Sequence, residues 1–213
     1  MAVGLTPDLL LHAYRQGIFP MAETRDATEV FWVQPRMRGV LPLDRFHVSR
    51  SLRKTLRRGH LTASADMAFA GVVRGCANRA ETWINAEIFD VYQALHAQGD
   101  AHSIEVWQDE TLVGGVYGVT IGAAFFGESM FSTVTDASKV ALACAIQRLQ
   151  ARGYRLFDTQ FITPHLESLG AEEIPRSSYE RRLSEALAIA ADFGPTGPIP
   201  LDQVASHRMT QTS

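Results

Sequence analysis

Residues 103–132 read SIEVWQDETLVGGVYGVTIGAAFFGESMFS, and this stretch decides the architecture. Three runs rich in Val, Ile, Phe and Tyr, namely Ser103–Gln108, Thr111–Thr120 and Ala123–Glu128, are split by turn signals at Asp109-Glu110 and Ile121-Gly122. Short β-rich runs joined by tight turns predict an antiparallel meander. The pattern then changes period. Asp136 is placed to cap a helix from Ala137 to Arg152 that Gly153 closes, Leu156–Gln160 reads as a short strand, and Ser177 opens a long helix to about Asp192. A meander followed by helix, strand and helix predicts an α+β (mixed α/β) fold: a mostly antiparallel central sheet flanked by helices.

Upstream, Thr6-Pro7-Asp8 has the hydroxyl cap and first-turn proline of a helix start, Leu9, Leu10, Ala13 and Tyr14 supply its apolar stripe, and Gly17 stops it. Ile18 to Pro42 reads as an irregular connector with a short strand near Val30–Val33. Residues 48–59 look helical, and a further helix runs from Asn85 to Gln98 and ends at Gly99. Beyond Gly194 the chain is proline-rich and polar, and loose packing or fraying is expected there.

With 46% hydrophobic and 20% charged residues in 213, the composition is that of an ordinary globular chain. Cys76 and Cys144 belong to no CxxC or Cys/His cluster, so two packing thiols in a reduced compartment are expected, and no zinc site. The first twenty residues include Asp8, His12 and Arg15 without an apolar run and small-residue cleavage site, and no stretch of 18 apolar residues occurs. The expectation is a soluble, cytoplasmic protein that uses no membrane. A net charge of −3 gives no global attraction to nucleic acid, so any such binding must come from a local patch.

Such a patch exists. No acidic residue lies between Asp44 and Asp66, while Arg50, Arg53, Lys54, Arg57 and Arg58 follow a spacing of i, i+3, i+4, i+7, i+8. On a helix all five share a face, and Val48, Leu52 and Leu56 fall opposite, able to dock it. Like charges on one face repel, so an anionic cover is called for, and phosphate is the obvious candidate. A solvated basic face, or one paired with acids from elsewhere, is the alternative.

Two further runs attract chemistry. In Phe125-Phe126-Gly127-Glu128-Ser129-Met130-Phe131-Ser132, strand alternation would put Phe126, Glu128 and Met130 on one side. A carboxylate among aromatics and a methionine is costly unless it faces a ligand or is bonded to neighbouring groups. In Leu156-Phe157-Asp158-Thr159-Gln160, Asp158 and Gln160 are two apart and would project to the same face, at a strand end of the kind where open sheets place sites, or as plain edge polar residues. His165, in a short helix before Gly170, could be a base, although a lone histidine is more often structural. No nucleophile elbow, Walker loop or metal-ligand spacing is present.

Taken together, these segments resemble the bacterial leucyl/phenylalanyl-tRNA–protein transferase family. The matching pieces are Tyr14-Arg15-Gln16-Gly17-Ile18-Phe19-Pro20, Arg38-Gly39-Val40-Leu41, the basic Ser49-to-Arg58 helix, Thr82-Trp83-Ile84 and His102-Ser103-Ile104-Glu105-Val106-Trp107. Gly114-Gly115-Val116-Tyr117-Gly118, Gly127-Glu128-Ser129-Met130-Phe131-Ser132, Ala137-Ser138-Lys139, Asp158-Thr159-Gln160 and Ser168-Leu169-Gly170-Ala171 complete the series in family order.

The resemblance implies a small N-terminal domain, residues 1–38, and a larger GNAT-like aminoacyl-transfer domain, residues 39–213. It implies transfer of Leu or Phe, and Met less well, from aminoacyl-tRNA to proteins with N-terminal Arg or Lys, marking them for N-degron proteolysis. No cofactor and no metal are implied, and oligomeric state is left open, with a monomer the simplest expectation. By matching motifs, Asp158, Gln160 and Glu128 form the reaction centre. Val116, Phe125, Met130, Ser132 and Phe157 form the aminoacyl side-chain pocket, Trp83 meets the tRNA 3′ adenosine, and Arg50, Arg53, Lys54, Arg57 and Arg58 hold the tRNA backbone. Ser132-Thr133-Val134-Thr135-Asp136 stands where acetyl-CoA enzymes carry a glycine-rich pyrophosphate loop, which fits a tRNA donor. Met21, the run Val33-Gln34-Pro35-Arg36-Met37, and Thr159 depart from the family pattern, and the first two bear on adenosine and side-chain recognition.

The implied reaction is aminolysis of an ester by an α-amine whose pKa is about 7.7–8.0, so positioning matters more than strong base catalysis. The expected division of labour has Gln160 orienting the amine, Asp158 holding Gln160 and receiving charge or a proton, and Glu128 fixing the peptide's N-terminal residue or orienting Gln160. An N-acetyltransferase on the same fold, a non-catalytic RNA-binding module and a transferase acting on N-terminal Asp or Glu are the competing readings.

Overall fold

The computed structural model describes residues 4–27 and 29–206. In chain order the elements are α1 (Pro7–Arg15), β1 (Phe19–Met21), β2 (Phe31–Val33), β3 (Met37–Val40), α2 (Arg50–Arg57), β4 (Thr62–Ala65), α3 (Phe69–Ala77), α4 (Ala86–Gln98), β5 (Ala101–Gln108), β6 (Thr111–Ile121) and β7 (Ala124–Ser132). There follow α5 (Ala137–Ala151), β8 (Leu156–Gln160), α6 (Pro164–Ser168), β9 (Glu172–Pro175), α7 (Arg176–Leu187), β10 (Gly197–Ile199) and α8 (Leu201–Ser206).

The predicted meander is β5–β6–β7, and it forms the centre of an eight-stranded sheet of order β10-β4-β5-β6-β7-β8-β3-β9. Every neighbouring pair is antiparallel except β7 and β8, which run parallel because α5 carries the chain across between them. The mixed α/β class, with a mostly antiparallel sheet flanked by helices, is what the alternation of runs predicts. Residues of α2, α5 and α8 bury against one face, around Ile104, Phe125 and Phe157. Residues of α1, α3, α4 and α7 bury against the other, around Tyr117, Phe126 and Leu156. A separate hairpin, β1–β2, stands outside the sheet.

Local signals place several elements where expected. Thr6 accepts from the Leu9 amide and Asn85 from the Ile88 amide, satisfying first-turn donors of α1 and α4, and Gly99 closes α4 at φ +87°. Asp136 precedes α5 as expected, but its backbone is left-handed at φ +68° and its side chain makes no cap; the carboxylate goes instead to Thr55 at 3.1 Å and Lys139 at 3.0 Å. The last long helix ends at Leu187, short of the expected Asp192. The tail is not loose over its described part: β10 pairs with β4, and Leu201, Val204 and Ala205 of α8 are buried against α2 and α5. Three apolar side chains there outweigh the proline-rich look of the segment.

β3 spans the expected 38/39 division and lies inside the sheet between β8 and β9. Cys76 and Cys144 are free and buried. Among the described residues no helix is long and apolar enough to cross a membrane, and no group of three or more His, Cys, Asp or Glu could hold a metal ion.

Candidate active site

The parallel pairing of β7 with β8 covers only Ala124↔Leu156, Phe125↔Phe157 and Phe126↔Asp158. Past that point the strands part, and a cavity of about 340 Å³ opens between Gly127–Met130 and Thr159–Phe161. This is the end of a parallel pair in an open sheet, where ligand sites recur. Buried Val116, Leu142 and Phe157 line it, and Pro20, Met21, Arg79 and Trp83 complete its walls. A Cβ on Gly127 would sit 2.5 Å from the Phe157 ring, so the missing side chain lets that ring lie against the strand.

Glu128 enters the cavity through a bulge. Gly118 pairs with Gly127 and Tyr117 with Ser129, leaving Glu128 unmatched. The extra residue reverses the alternation: Phe125 and Met130 pack with one core layer, Phe126 and Phe131 with the other. The expected grouping of Phe126 with Met130 is therefore corrected, because a bulge re-aims the side chains beyond it.

The Glu128 carboxylate is 8% exposed and is held by neutral donors. Tyr14 Oη donates to Oε1 at 2.6 Å, Tyr92 Oη to Oε2 at 2.8 Å, and Gln160 Nε2 to Oε1 at 3.1 Å. The two tyrosine hydroxyls are themselves 2.7 Å apart. Burial pushes the Glu128 carboxyl up to about 7, against the pull of those three donors, and the nearby Asp158 charge adds to the rise. Burial also holds Tyr14 and Tyr92 well above the usual tyrosine range, so both remain hydrogen-bond donors.

Asp158 has the opposite surroundings. It is fully buried and does not line the cavity. Arg38 donates from Nε to Oδ1 at 2.8 Å and from Nη2 to Oδ2 at 2.6 Å, a bidentate pair, and Tyr179 Oη donates to Oδ2 at 2.7 Å. The Gln160 backbone amide donates to Oδ1 at 2.8 Å. Arg38 also donates to the Gly17 carbonyl at 2.9 Å and lies over the rings of Phe19 and Tyr179. Asp158 thus holds Gln160, as expected, but through the main chain. Gln160 sits at φ +63°, which breaks strand alternation and turns its side chain into the cavity while Asp158 stays beneath.

Of the residues expected in a side-chain pocket, Val116, Met130 and Phe157 line the cavity, as does Trp83. Phe125 lies one layer behind, 1% exposed, with its ring 4.9 Å from that of Phe157. Ser132 is not with them. It is exposed in an adjoining groove, where its hydroxyl donates to the Val134 carbonyl at 2.7 Å. His165 lines that groove too. Met21 lines the cavity, and Val33 pairs with Phe19 in the hairpin. Four of the five cations stand on α2 and Arg58 caps its end: Leu52, Thr55 and Leu56 are buried, Arg53 is half-buried, and Arg50, Lys54, Arg57 and Arg58 are exposed.

Sequence reasoning assigned no site role to Arg38, Tyr14, Tyr92, Tyr179 or Arg79. An arginine inside a strand-like Met-Arg-Gly-Val run needs a buried partner, and that was a usable signal for Arg38. Tyr14 reads as a member of the α1 apolar stripe, and for all three tyrosines only the hydroxyl's need for a partner hints at a role in the site.

Comparison with known proteins gives a consistent result. Residues 40–184 match the family described as leucyl/phenylalanyl-tRNA protein transferase, and residues 4–36 match that family's N-terminal domain. Proteins of the same name from Ruegeria sp. (strain TM1040) and Cereibacter sphaeroides are 63% and 61% identical, with the alignments covering 98% of this chain and 99% and 98% of theirs. The crystal structure of FemX aligns with a TM-score of 0.51 at 12% identity, over 79% of this chain and 66% of that one, which shows a shared fold.

Proposed function

This chain belongs to the leucyl/phenylalanyl-tRNA–protein transferase family, and from that premise we propose how its cavity works as an aminoacyltransferase. Its substrates are an aminoacyl-tRNA and a protein. The cavity moves leucine or phenylalanine, and methionine less well, onto the α-amino group of proteins beginning with Arg or Lys, forming a peptide bond that marks them for N-degron proteolysis in the cytoplasm. The two-part division belongs to the same proposal. Residues 1–38 lend Tyr14, Pro20, Met21 and Arg38 to the frame of the site, and residues 39–213 form the GNAT-like transfer domain.

The observation that carries the reading is Glu128, a carboxylate pushed up to about 7 by burial, facing an apolar cavity beside an amide side chain. The acyl side chain fits against Val116, Met130 and Phe157, with Phe125 behind, Trp83 takes the adenosine of the tRNA end, and Ser132 lies farther along the donor's path. The acceptor amine attacks the ester carbonyl and the ribose hydroxyl leaves. Gln160, fixed through its backbone by Asp158, orients the amine from its side-chain oxygen, since its Nε2 is already given to Glu128. Glu128 takes the amine's proton and returns it to the departing ribose oxygen, because Asp158 spends its oxygens on Arg38, Tyr179 and the Gln160 amide. A base with a pKa near the working pH is the efficient choice.

Arg50, Arg53, Lys54, Arg57 and Arg58 hold the tRNA backbone. An acyl-CoA donor is disfavoured because Ser132-Thr133-Val134-Thr135-Asp136, and no glycine-rich pyrophosphate loop, precedes α5. Leu, Phe and Met are unbranched at Cβ, and a narrow apolar entrance rejects Ile and Val by roughly 10–200-fold.

The test mixes purified protein, labelled Leu-tRNA and peptides starting with Arg, Lys, Asp or Met. Label on the Arg and Lys peptides alone is expected; label on the Asp peptide, or on none, overturns the reading. Neutralising the five α2 cations should weaken tRNA binding and flatten its salt dependence. Unchanged tRNA affinity at every ionic strength would remove α2 from the account.

A further inference from the structure

Next to the transfer cavity lies a second hollow of about 510 Å³ that shares only Arg79 and Met130 with it. Its polar lining comes from Asn78, Arg79, Ser132, Thr133, Ser138 and His165, and no carboxylate lines it. Phe131 supplies an aromatic wall, and the ring has room because Gly75 of α3 has no side chain; a Cβ there would fall 2.6 Å from it. Hydrogen-bonding groups beside an aromatic wall suit a base, which offers both an edge and a π-face.

The position of the hollow says which ligand it serves. At one end Arg79 bridges to the cavity, donating to Ser129 Oγ at 3.3 Å and to the Met130 carbonyl. Arg25 braces the turn that presents Asn78 and Arg79 by donating to the Ala77 and Arg79 carbonyls at 2.8 and 2.9 Å. At the other end, Ser132 and Thr133 lead into the Asp136 loop, whose carboxylate receives the Thr55 hydroxyl of α2 at 3.1 Å. Asp136 is neutralised by Lys139 at 3.0 Å. Through Asp136 the rim of the hollow is joined to α2, the helix that carries the cations, and through Arg79 to the transfer cavity.

We propose that this hollow is the subsite for the unpaired nucleotides that precede the aminoacylated 3′ adenosine of the donor tRNA. Bases stack beside Phe131 and meet Asn78, Ser138 and His165, while Arg79 takes the phosphate that joins the last of them to the adenosine. The proposal rests on the reading of the first cavity as the aminoacyl site. The acceptor peptide leaves by the other rim, past Pro20, Met21 and the exposed Phe161, which carries no basic residue.

The experiment compares three donors: leucyl-adenosine, the leucyl trinucleotide CCA, and full Leu-tRNA, each with an arginine-initiated peptide. Wild type should use the trinucleotide about a hundredfold better than the mononucleotide, since stacking and edge contacts are worth about tenfold for each of the two added bases. Asn78→Asp, which adds a negative charge at the exposed mouth without added bulk, and His165→Gln should lower kcat/KM for the trinucleotide and the tRNA and leave leucyl-adenosine unchanged. Equal use of the first two donors by wild type overturns the subsite, as does an equal loss with every donor in the variants. Loss that depends on acceptor-peptide length, with donor preference intact, assigns the hollow to the peptide and overturns it too. If no donor reacts at all, the transferase reading itself has failed.

Discussion

Two carboxylates, Asp158 and Glu128, sit on neighbouring strands within one buried network, and Gln160 touches both: its backbone amide reaches Asp158 and its side chain reaches Glu128. Asp158 has a guanidinium clamped across it; Glu128 has two phenols and an amide. A full counter-charge makes burial tolerable and ties the aspartate to the frame. Neutral donors leave the glutamate only partly compensated, so burial lifts its pKa into the range where proton transfer is useful. On the proposed mechanism, two groups of the same chemistry are thus separated into a strut and a base by what surrounds them. Glu105 adds a control. It is fully buried with serine hydroxyls for partners and its pKa is also raised, yet it lines none of the cavities described, so a raised pKa alone does not mark a site.

Breaking the strut should give the largest effect. Asp158→Ala leaves Arg38 charged and unpaired at 1% exposure, and a loss of about 3–5 kcal/mol of stability is expected. Urea or thermal melts check this; a variant that melts like wild type but is inactive would make Asp158 chemical after all. Glu128→Gln, by contrast, should fold. Its rate should fall by roughly 10²–10³-fold, within the range for losing a general base, while tRNA binding stays intact. Single-turnover transfer and a filter-binding titration separate the two.

The same variant sharpens the comparison through stability. Glu128 titrates higher in the fold, about 7, than the ordinary carboxyl value of 4.5. Its favourable contribution is therefore present at low pH and is lost as pH rises through about 7. Glutamine is neutral throughout, so Glu128→Gln should match or trail wild type at pH 5 and exceed it at pH 8, by on the order of 2 kcal/mol. A constant difference across that range would mean that Glu128 is not held in this way. Smallest is Tyr92→Phe. It removes the bond to Glu128 and the one shared with Tyr14, costs about 1–2 kcal/mol, and moves the Glu128 titration to higher pH because a donor to its charged form is gone.

Much of this arrangement was legible in the chain. The cap at Thr6, the helix that begins near Asn85, the meander and the spacing of the α2 cations are local, and local physics places them. Glu128 was conspicuous because a carboxylate among aromatics demands a reason, and Gln160 because it stands two residues from Asp158 at a strand end. What stayed hidden depends on pairing at a distance. Nothing near Glu128 announces a bulge, which is a property of β6 and β7 together. Arg38 finds its partner 120 residues away, and Met37–Val40 and Thr62–Ala65 become strands only because the sheet offers them edges. The tail read as loose because its few apolar residues reveal their weight only against α2 and α5.

The most direct test is the single-turnover transfer rate as a function of pH, with saturating donor and an arginine-initiated peptide, for wild type and Glu128→Gln. Wild type should show a rising limb near pH 7 from Glu128, in addition to that of the acceptor amine at about 7.7–8.0. In the variant the lower limb should vanish and the amine limb should remain. The same two limbs in both proteins would contradict the assignment of the proton to Glu128.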